Sequence, residues 1–185
     1  MTEIVSFDAE AARERVQAKV RSVPDFPKPG ILFRDITPVL AHPPTLVDAL
    51  RLHRGAIADL EPRVQKIVGI ESRGFLFGMA LAAELHVGFV PVRKPGKLPA
   101  ATTEVRYALE YGEDALQIHT DAIDPGDRVL VVDDLLATGG TADATRQLVS
   151  QLGGTVLAAL FLIELTALRG RAKLDGLRVE TLLRY

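Results

Sequence analysis

Two adjacent carboxylates stand directly before a short loop of glycines and hydroxylated residues. The segment is residues 129–141, VLVVDDLLATGGT, in which Asp133 and Asp134 end an apolar run. The loop opens a predicted helix, whose unpaired backbone N–H groups and positive dipole end suit a phosphate. Two neighbouring negative charges would repel a ligand that is only a phosphate. A sugar phosphate resolves the conflict, because the acids can accept hydrogen bonds from ribose hydroxyls or face a phosphate-bound divalent cation.

Other interpretations of this segment are less specific. No Gly-Lys-Ser/Thr follows, so it is not a Walker loop, and the dinucleotide pattern G-x-G-x-x-G is absent. A solvated strand end followed by an ordinary helix cap uses the same residue types. Each feature alone is common, but their order of strand, paired acids, small-residue loop and helix favours sugar-phosphate binding.

A second candidate anion loop is residues 71–74, ESRG, which follows a predicted strand and precedes a predicted helix. Ser72 and Gly74 offer backbone N–H groups and Arg73 offers a guanidinium. Taken alone, this segment is more typical of an ordinary helix cap. Beside the first loop on the same sheet edge, it is expected to hold a pyrophosphate, with the ribose between the two loops.

The basic segment, residues 93–99, RKPGKLP, lacks any helical or strand periodicity. One interpretation is a solvated surface loop. The other is a mobile lid, in which Arg93, Lys94 and Lys97 close positive charge over a polyanion and exclude water. Glu110 lies at the far end of this excursion, either as an exposed turn residue or as a carboxylate delivered when the lid closes.

Alternating apolar strands and helices predict an α/β fold around a parallel sheet. Ligands of such sheets bind beyond the carboxyl ends of the strands, so the loops after Ile70, Val92 and Val132 should share one edge. Residues 102–109 and 115–119 are expected to pair as an antiparallel excursion. The predicted strands are residues 66–70, 87–92, 128–133, 155–164 and 179–183. The predicted helices are residues 8–22, 44–60, 75–85 and 141–152, and the prolines of residues 24–30 exclude a helix there.

Composition excludes several classes of function. The chain has 185 residues, enough for one domain with a substantial core. Its net charge of −2 gives no electrostatic case for nucleic-acid binding. Cysteine is absent, which excludes thiolate chemistry, and the four histidines lack metal-ligand spacing. No apolar run is long enough to span a membrane and no signal-peptide pattern begins the chain, so a cytoplasmic protein is predicted.

Four segments together resemble the adenine phosphoribosyltransferases, a family of type I phosphoribosyltransferases. The motif at residues 131–141 resembles the phosphoribosyl pyrophosphate (PRPP) motif of the whole superfamily. Residues 24–37, PDFPKPGILFRDIT, and the basic segment with residues 109–112, LEYG, select the adenine family. Residues 71–78 complete the resemblance, which covers most of the chain.

The resemblance implies a type I phosphoribosyltransferase fold: a parallel sheet flanked by helices, with a small N-terminal hood and an antiparallel flexible-loop excursion. It implies one domain over residues 1–185, with a helix and base-binding hood in about 1–37 and a mobile lid in about 93–112. The implied reaction is purine salvage, in which adenine and PRPP give AMP and pyrophosphate. Magnesium is expected to ride on PRPP without direct protein ligands. A homodimer that binds neither nucleic acid nor membrane is expected.

Residue roles are carried over by position in the matching motifs. The catalytic residues are expected to be Glu110, which accepts the proton that adenine loses, and Arg73 at the leaving pyrophosphate. The residues expected to bind PRPP or AMP are Ser72, Arg93, Lys94, Lys97, Asp133, Asp134, Ala137, Thr138, Gly139, Gly140 and Thr141. The residues expected to bind adenine are Leu32, Phe33, Arg34 and Leu135. Arg93 or Lys94 is expected to reach a neighbouring subunit's site.

Two other functions fit the PRPP motif. A PRPP-sensing regulator would keep the binding fold without the catalysis, but it would need a nucleic-acid-binding module or a basic face. Another type I transferase would differ in the base pocket around residues 32–34. The chain departs from the family pattern at Gln117, where an acid is expected, and residues 102–108 are less typical than their surroundings.

Overall fold

The computed structural model describes residues 7–108 and 113–185. It consists of two compact units, Met1–Gly55 and Ala56–Tyr185. The predicted base-binding motif belongs to the first unit, and both candidate anion loops belong to the second.

The first unit combines three helices with a two-stranded antiparallel sheet. Helix α1 begins after Asp8, whose side chain caps it by accepting hydrogen bonds from the backbone N–H groups of Glu10 and Ala11. The strands pair from Arg21 opposite Asp35 to Pro24 opposite Leu32. The elements are α1 (Ala9–Lys19), β1 (Arg21–Pro24), β2 (Leu32–Asp35), α2 (Thr37–Ala41) and α3 (Pro43–Ala56).

Three boundaries in this unit differ from the sequence-based expectation. The helix expected over residues 8–22 ends at Lys19, because the next residues pair with β2. Helix α2 was not expected, since five residues are too few to show a period. It starts where the Asp35 carboxylate accepts hydrogen bonds from the N–H and hydroxyl of Thr37. The helix expected over residues 44–60 ends at Ala56.

The second unit is built on a parallel five-stranded sheet, which confirms the predicted fold class. Its strand order is β4-β3-β7-β8-β9, and every neighbouring pair is parallel. The strands are β3 (Lys66–Ile70), β4 (Gly88–Val92), β7 (Arg128–Leu136), β8 (Thr155–Glu164) and β9 (Val179–Arg184). The helices are α4 (Gly74–Leu85) and α5 (Gly140–Gln151), with short 3-10 helices at Glu61–Arg63, Thr166–Leu168 and Gly170–Leu174.

The centre of this sheet is buried on both faces. Val129 to Val132 are all fully buried, as the continuous apolar run predicts for a central parallel strand. Strand β7 extends to Leu136, beyond the expected end at residue 133, because Leu135 and Leu136 continue to pair with β8. The carboxyl ends of β3, β4 and β7 therefore meet at one edge of the sheet.

The interruption of the parallel pattern is an antiparallel hairpin, as predicted. Strands β5 (Thr102–Ala108) and β6 (Glu113–His119) pair in register from Thr102 opposite His119. Arg93 forms an isolated antiparallel bridge with Gln117, which joins the hairpin to the end of β4. Within the part of the chain that the structure describes, no helix has the length and apolarity needed to cross a bilayer.

Candidate active site

The start of α4 lies against the end of β7 because Gly74 lacks a side chain. A methyl group added at Gly74 would lie 2.6 Å from the carbonyl oxygen of Val132 and 2.9 Å from Oδ1 of Asp133. Only glycine allows the start of α4 to pack this closely on the end of β7. Residues 71–74 and the paired acids are therefore neighbours.

A cavity of about 310 Å³ lies between these two loops. It brings together residues of both candidate loops, the basic segment and the hairpin. Its lining residues are Glu71, Ser72, Arg73, Lys94, Tyr107, Asp133, Asp134, Leu135 and Thr141. Cations and carboxylates thus face the same space, as a substrate that carries both phosphates and hydroxyls requires.

A smaller cavity of about 70 Å³ adjoins the first and shares Asp133, Leu135 and Thr141 with it. It lies at the N-terminus of α5, where the first backbone N–H groups have no partner within the helix. Gly139 precedes the helix with φ +80°, a left-handed conformation that side chains disfavour. The remaining lining residues are Leu136, Ala137, Thr138, Gly139, Ala142 and Phe161. This cavity can accept a single phosphate group on backbone donors.

The adjacent carboxylates have different environments. Asp134 is only 4% exposed, and its Oδ2 accepts a hydrogen bond from Nε of Arg73 in an ion pair. Oδ1 of Asp133 accepts a hydrogen bond from the backbone N–H of Asp134 at 2.8 Å. Burial, together with repulsion from Asp134, raises the pKa of Asp133 well above its ordinary value. The nearby charge of Arg73 offsets this effect only in part.

The start of the basic segment is held by Glu71. One oxygen of its carboxylate accepts from Nη2 of Arg93 at 2.8 Å, and the other accepts from the backbone N–H of Lys94 at 2.9 Å. The hydrogen bond from Arg93 lowers the pKa of Glu71 below its usual value. No local sequence pattern indicates a role for Glu71, because its partners follow a different strand, β4. In the structure, this residue fixes the basic segment at the cavity.

A chain of hydrogen bonds links the hairpin to the helix N-terminus. Nζ of Lys94 forms an ion pair with Asp114, and the Tyr107 hydroxyl donates to the same carboxylate at 3.2 Å. The Thr141 hydroxyl in turn donates a hydrogen bond to the Tyr107 hydroxyl oxygen at 3.4 Å. Tyr107 and Asp114 were missed as site residues. The sequence prediction places Asp114 in the turn of the hairpin, whereas in the structure it pairs with Tyr107 across the two strands.

Comparison with known proteins matches this geometry. A sequence profile of the phosphoribosyl transferase domain fits residues 37–175. An adenine phosphoribosyltransferase from Synechococcus sp. is 55% identical over 178 residues, which cover 96% of this chain and 99% of the relative. The chain belongs to the adenine phosphoribosyltransferase family.

Two solved structures of this family have the same fold. The adenine phosphoribosyltransferase of Thermoanaerobacter pseudethanolicus has a TM-score of 0.89 at 52% identity, covering 94% of this chain and 99% of its own. The enzyme of Saccharomyces cerevisiae has a TM-score of 0.86 at 44% identity with the same two coverages. The yeast structure was solved with an imino-altritol 1,6-bisphosphate and adenine.

The predicted adenine-binding residues Leu32, Phe33 and Arg34 lie on β2, in the first compact unit. Leu32 is exposed, and the ring of Phe33 packs edge-to-face on Phe26 with the centroids 5.1 Å apart. Nη1 of Arg34 donates to the hydroxyl of Ser22 at 2.5 Å. The adenine-binding roles of residues 32–34 stay predictions.

Four other predicted residues, namely Arg93, Lys97, Gly140 and Glu110, lie apart from the two cavity linings or outside the described structure. Lys97 accepts a hydrogen bond at its carbonyl from Nη1 of Arg93 at 2.9 Å. Gly140 begins α5 and is buried. Glu110 lies outside the described residues, so its role as proton acceptor stays a prediction.

The described residues include no group of three or more His, Asp or Glu side chains placed to hold a metal ion. The one deeply buried histidine, His53, lies in the first unit, where burial lowers its pKa to about 4 and Nδ1 contacts the Ala49 carbonyl at 2.7 Å. It therefore has a structural role on α3.

Proposed function

We propose that this protein transfers the 5-phosphoribosyl group of PRPP to adenine, giving AMP and pyrophosphate in purine salvage. The observation that supports this proposal is that two anion loops and two carboxylates line two adjoining cavities, which share Asp133, Leu135 and Thr141. A 5′-phosphate at residues 137–141, hereafter the phosphate loop, and a pyrophosphate at Ser72 and Arg73 are the two ends of PRPP. Relatives named adenine phosphoribosyltransferase support adenine as the acceptor base.

The chemistry requires stabilisation of a departing polyanion. Breaking the bond from C1 of ribose to pyrophosphate builds positive charge on the sugar and negative charge on the leaving group. Arg73 and Lys94 line the cavity and can stabilise that negative charge. Asp133 and Asp134 accept hydrogen bonds from the ribose hydroxyls and hold the sugar between its two phosphate ends.

The acceptor base must lose a proton as the new bond forms. We assign Glu110 as the group that accepts this proton, since a carboxylate can take a proton in the transition state. Leu32, Phe33 and Arg34 of the first unit, and Leu135 of the second, are the proposed adenine-binding residues. A backbone carbonyl that accepts from the exocyclic amine would disfavour 6-oxo purines, whose oxygen would place two acceptors face to face.

We propose that magnesium enters with PRPP. The residues present fit this, because Asp133 lines both cavities and the neighbouring cation, Arg73, forms its ion pair with Asp134. Bound to PRPP, magnesium would neutralise part of the phosphate charge and polarise the leaving group. Asp133 would then face it with its pKa lowered toward the ordinary value.

We also propose a homodimer, for which an apolar stripe on α4 is the structural support. Leu76 and Met79 are 51% and 54% exposed, and Ala83 continues the same face one turn later. Helix faces of this kind bury themselves against partners. Light scattering on the purified protein tests the proposal, and a mass equal to one chain at assay concentration would contradict it. The cytoplasmic location stays a prediction.

The decisive experiment is an assay of the purified protein with PRPP, magnesium and one nucleobase at a time. The expected result is AMP and pyrophosphate from adenine, with no product when PRPP is omitted. Turnover of hypoxanthine, guanine or orotate, with none of adenine, would overturn the proposal. PRPP binding without any turnover would instead favour a regulator.

A further inference from the structure

The short helix Gly170–Leu174 packs directly behind the phosphate loop, and we call it the backing helix. Gly170 is buried, and a methyl group added there would lie 3.0 Å from the backbone nitrogen of Gly139 and closer still to the carbonyl of Ala137. Conversely, a methyl group on Gly139 would collide with the carbonyl of Gly170. The loop and the backing helix thus touch backbone to backbone, so a displacement of one displaces the other.

Arg171 fastens the backing helix to the sheet. Its Nε donates to Oε1 of Glu164 at 2.8 Å, Nη1 donates to the Val179 carbonyl at 2.8 Å, and Nη2 donates to the Thr181 hydroxyl at 2.9 Å. One guanidinium thereby reaches the end of β8 and two positions on β9. Its planar, fixed donors hold the helix in one orientation, which a lysine could not reproduce.

Glu164 makes this attachment costly to break. The carboxylate is 5% exposed, and it also accepts from the Thr181 hydroxyl at 2.8 Å. Although burial opposes ionisation, the hydrogen bond from Arg171 lowers the pKa of Glu164 below its ordinary value. Removal of Arg171 would leave a buried carboxylate without its main partner, so the segment would have to rearrange.

We propose that Arg171 is a positioning residue for the 5′-phosphate. The phosphate loop carries no charged side chain, so it can bind phosphate only through the directions of its backbone N–H groups and hydroxyls. Those directions are set by the packing behind the loop, which runs from Glu164 through Arg171 to Gly170 and Gly139. This inference rests on the proposed function of the loop and extends it to a residue that does not touch the ligand.

Titration of the full-length protein with ribose 5-phosphate tests the proposal, and pyrophosphate serves as the second ligand. In Arg171→Met, the Kd for ribose 5-phosphate is expected to rise by about tenfold to a hundredfold, as misplacement of binding groups by about 1 Å does. The Kd for pyrophosphate should stay unchanged, because its loop does not touch the backing helix. In the enzymatic assay, KM for PRPP should rise more than kcat falls.

Arg178→Met is the matched control. Arg178 also has three partners, namely Asp59, Glu180 and the Ala56 carbonyl, but none of them belongs to the phosphate loop. It should lose thermal stability without losing affinity for ribose 5-phosphate. If Arg171→Met proves unfolded, Glu164→Gln keeps a neutral acceptor for Arg171 and should give a smaller rise in the same Kd.

Three outcomes separate the inference from the function on which it rests. Folded Arg171→Met or Glu164→Gln with wild-type affinity for ribose 5-phosphate would overturn the positioning role. An equal loss of affinity in Arg178→Met would mean that a general loss of stability causes the effect, and this would also overturn the positioning role. Failure of the wild-type protein to bind ribose 5-phosphate at all would instead refute the assignment of the phosphate loop.

Discussion

The two anion loops at the sheet edge are built in opposite ways. The phosphate loop contains no charged side chain and is shaped by backbone packing against Gly170. The proposed pyrophosphate side is built from Arg73, Arg93 and Lys94, whose charges are paired with carboxylates of the protein itself. One site is a neutral cradle with a fixed shape, and the other is a set of ion pairs.

This difference suits the two ends of the substrate. The 5′-phosphate keeps its charge throughout the reaction, so a preformed cradle binds it without reorganisation and contributes equally to ground and transition states. The pyrophosphate gains charge as it leaves, so cations that can exchange a carboxylate for phosphate stabilise the transition state selectively. Substitutions in the cradle should therefore weaken binding of the 5′-phosphate, and substitutions on the ionic side should weaken binding of pyrophosphate and lower the rate.

The largest expected effect comes from Glu110→Gln, in the segment that joins the two strands of the hairpin. If this carboxylate accepts the proton from adenine, kcat should fall by about a hundredfold or more. The Kd for PRPP should change little, because the proton acceptor does not contact the phosphates. Steady-state kinetics and PRPP titration measure both quantities.

Glu113→Gln is the control for this prediction, since Glu113 is an exposed acid at the start of β6 in the same hairpin. It should behave as wild type. An unchanged kcat in Glu110→Gln, with chemistry shown to limit turnover by single-turnover kinetics, would remove Glu110 from the role.

Gly139→Ala should disrupt the phosphate loop, and it should change binding and not the rate. The left-handed backbone at φ +80° and the contact with Gly170 both oppose a methyl group. The Kd for ribose 5-phosphate is expected to rise by about tenfold to a hundredfold. Gly126→Ala shares the left-handed backbone, at φ +90°, but has open space around it, so it should lose stability without losing affinity. A rise in Kd shared by both variants would attribute the effect to backbone strain alone.

Local patterns were sufficient to predict most of the fold and the neutral cradle. The fully buried segment Val129 to Val132 is continuously apolar, without the alternation of a half-exposed strand. The residues after it have the composition of an anion-binding loop at a helix N-terminus. Both signals lie within a few neighbours along the chain, so the sequence alone contains them. Helix α2 and strand β1 were missed because tertiary pairing, rather than periodicity, determines them.

For the ionic side, the sequence predicts the cationic residues but not the carboxylates with which they pair. Nothing local to Arg93 indicates that Glu71 holds it, and nothing local to Lys94 indicates Asp114 as its partner. The first pair depends on the parallel pairing of β3 with β4, and the second on the hairpin, which the bridge from Arg93 to Gln117 joins to the end of β4. Contacts between distant segments leave no periodic signal, which is why Tyr107 and the role of Glu71 were found in the structure.

Lys94→Met tests whether the ion pairs serve the pyrophosphate. The lysine lines the cavity and pairs with Asp114, so its loss should weaken pyrophosphate binding by about tenfold, the range of a charge-assisted hydrogen bond. Affinity for ribose 5-phosphate should be unaffected. Lys66→Met is the control, because Lys66 forms comparable ion pairs with Asp124 and Asp127 at the amino end of β3. Equal loss of pyrophosphate affinity in both variants would argue for a general charge effect.

The smallest expected effect concerns stability, and its sign is unusual. The pKa of Asp133 is raised in the folded protein by burial and by Asp134, so folding is favoured when Asp133 is protonated. That contribution is present below the ordinary pKa of about 4 and is lost as the pH rises through the folded value. Above that folded value the ionised carboxylate destabilises the fold.

Asp133→Asn should accordingly raise the melting temperature at neutral pH, by about 2–4 °C for each kcal/mol gained in a chain of this size. The gain should shrink as the pH is lowered, while kcat/KM for PRPP falls because a ribose-facing charge is lost. Asp127→Asn is the counterpart. Although burial opposes ionisation of Asp127, Lys66 lowers its pKa, so the same substitution there should lower the melting temperature. A melting temperature of Asp133→Asn at or below wild type would mean that a protein cation already compensates Asp133. Asp133 would then not be the uncompensated carboxylate that is proposed to face magnesium-bound PRPP.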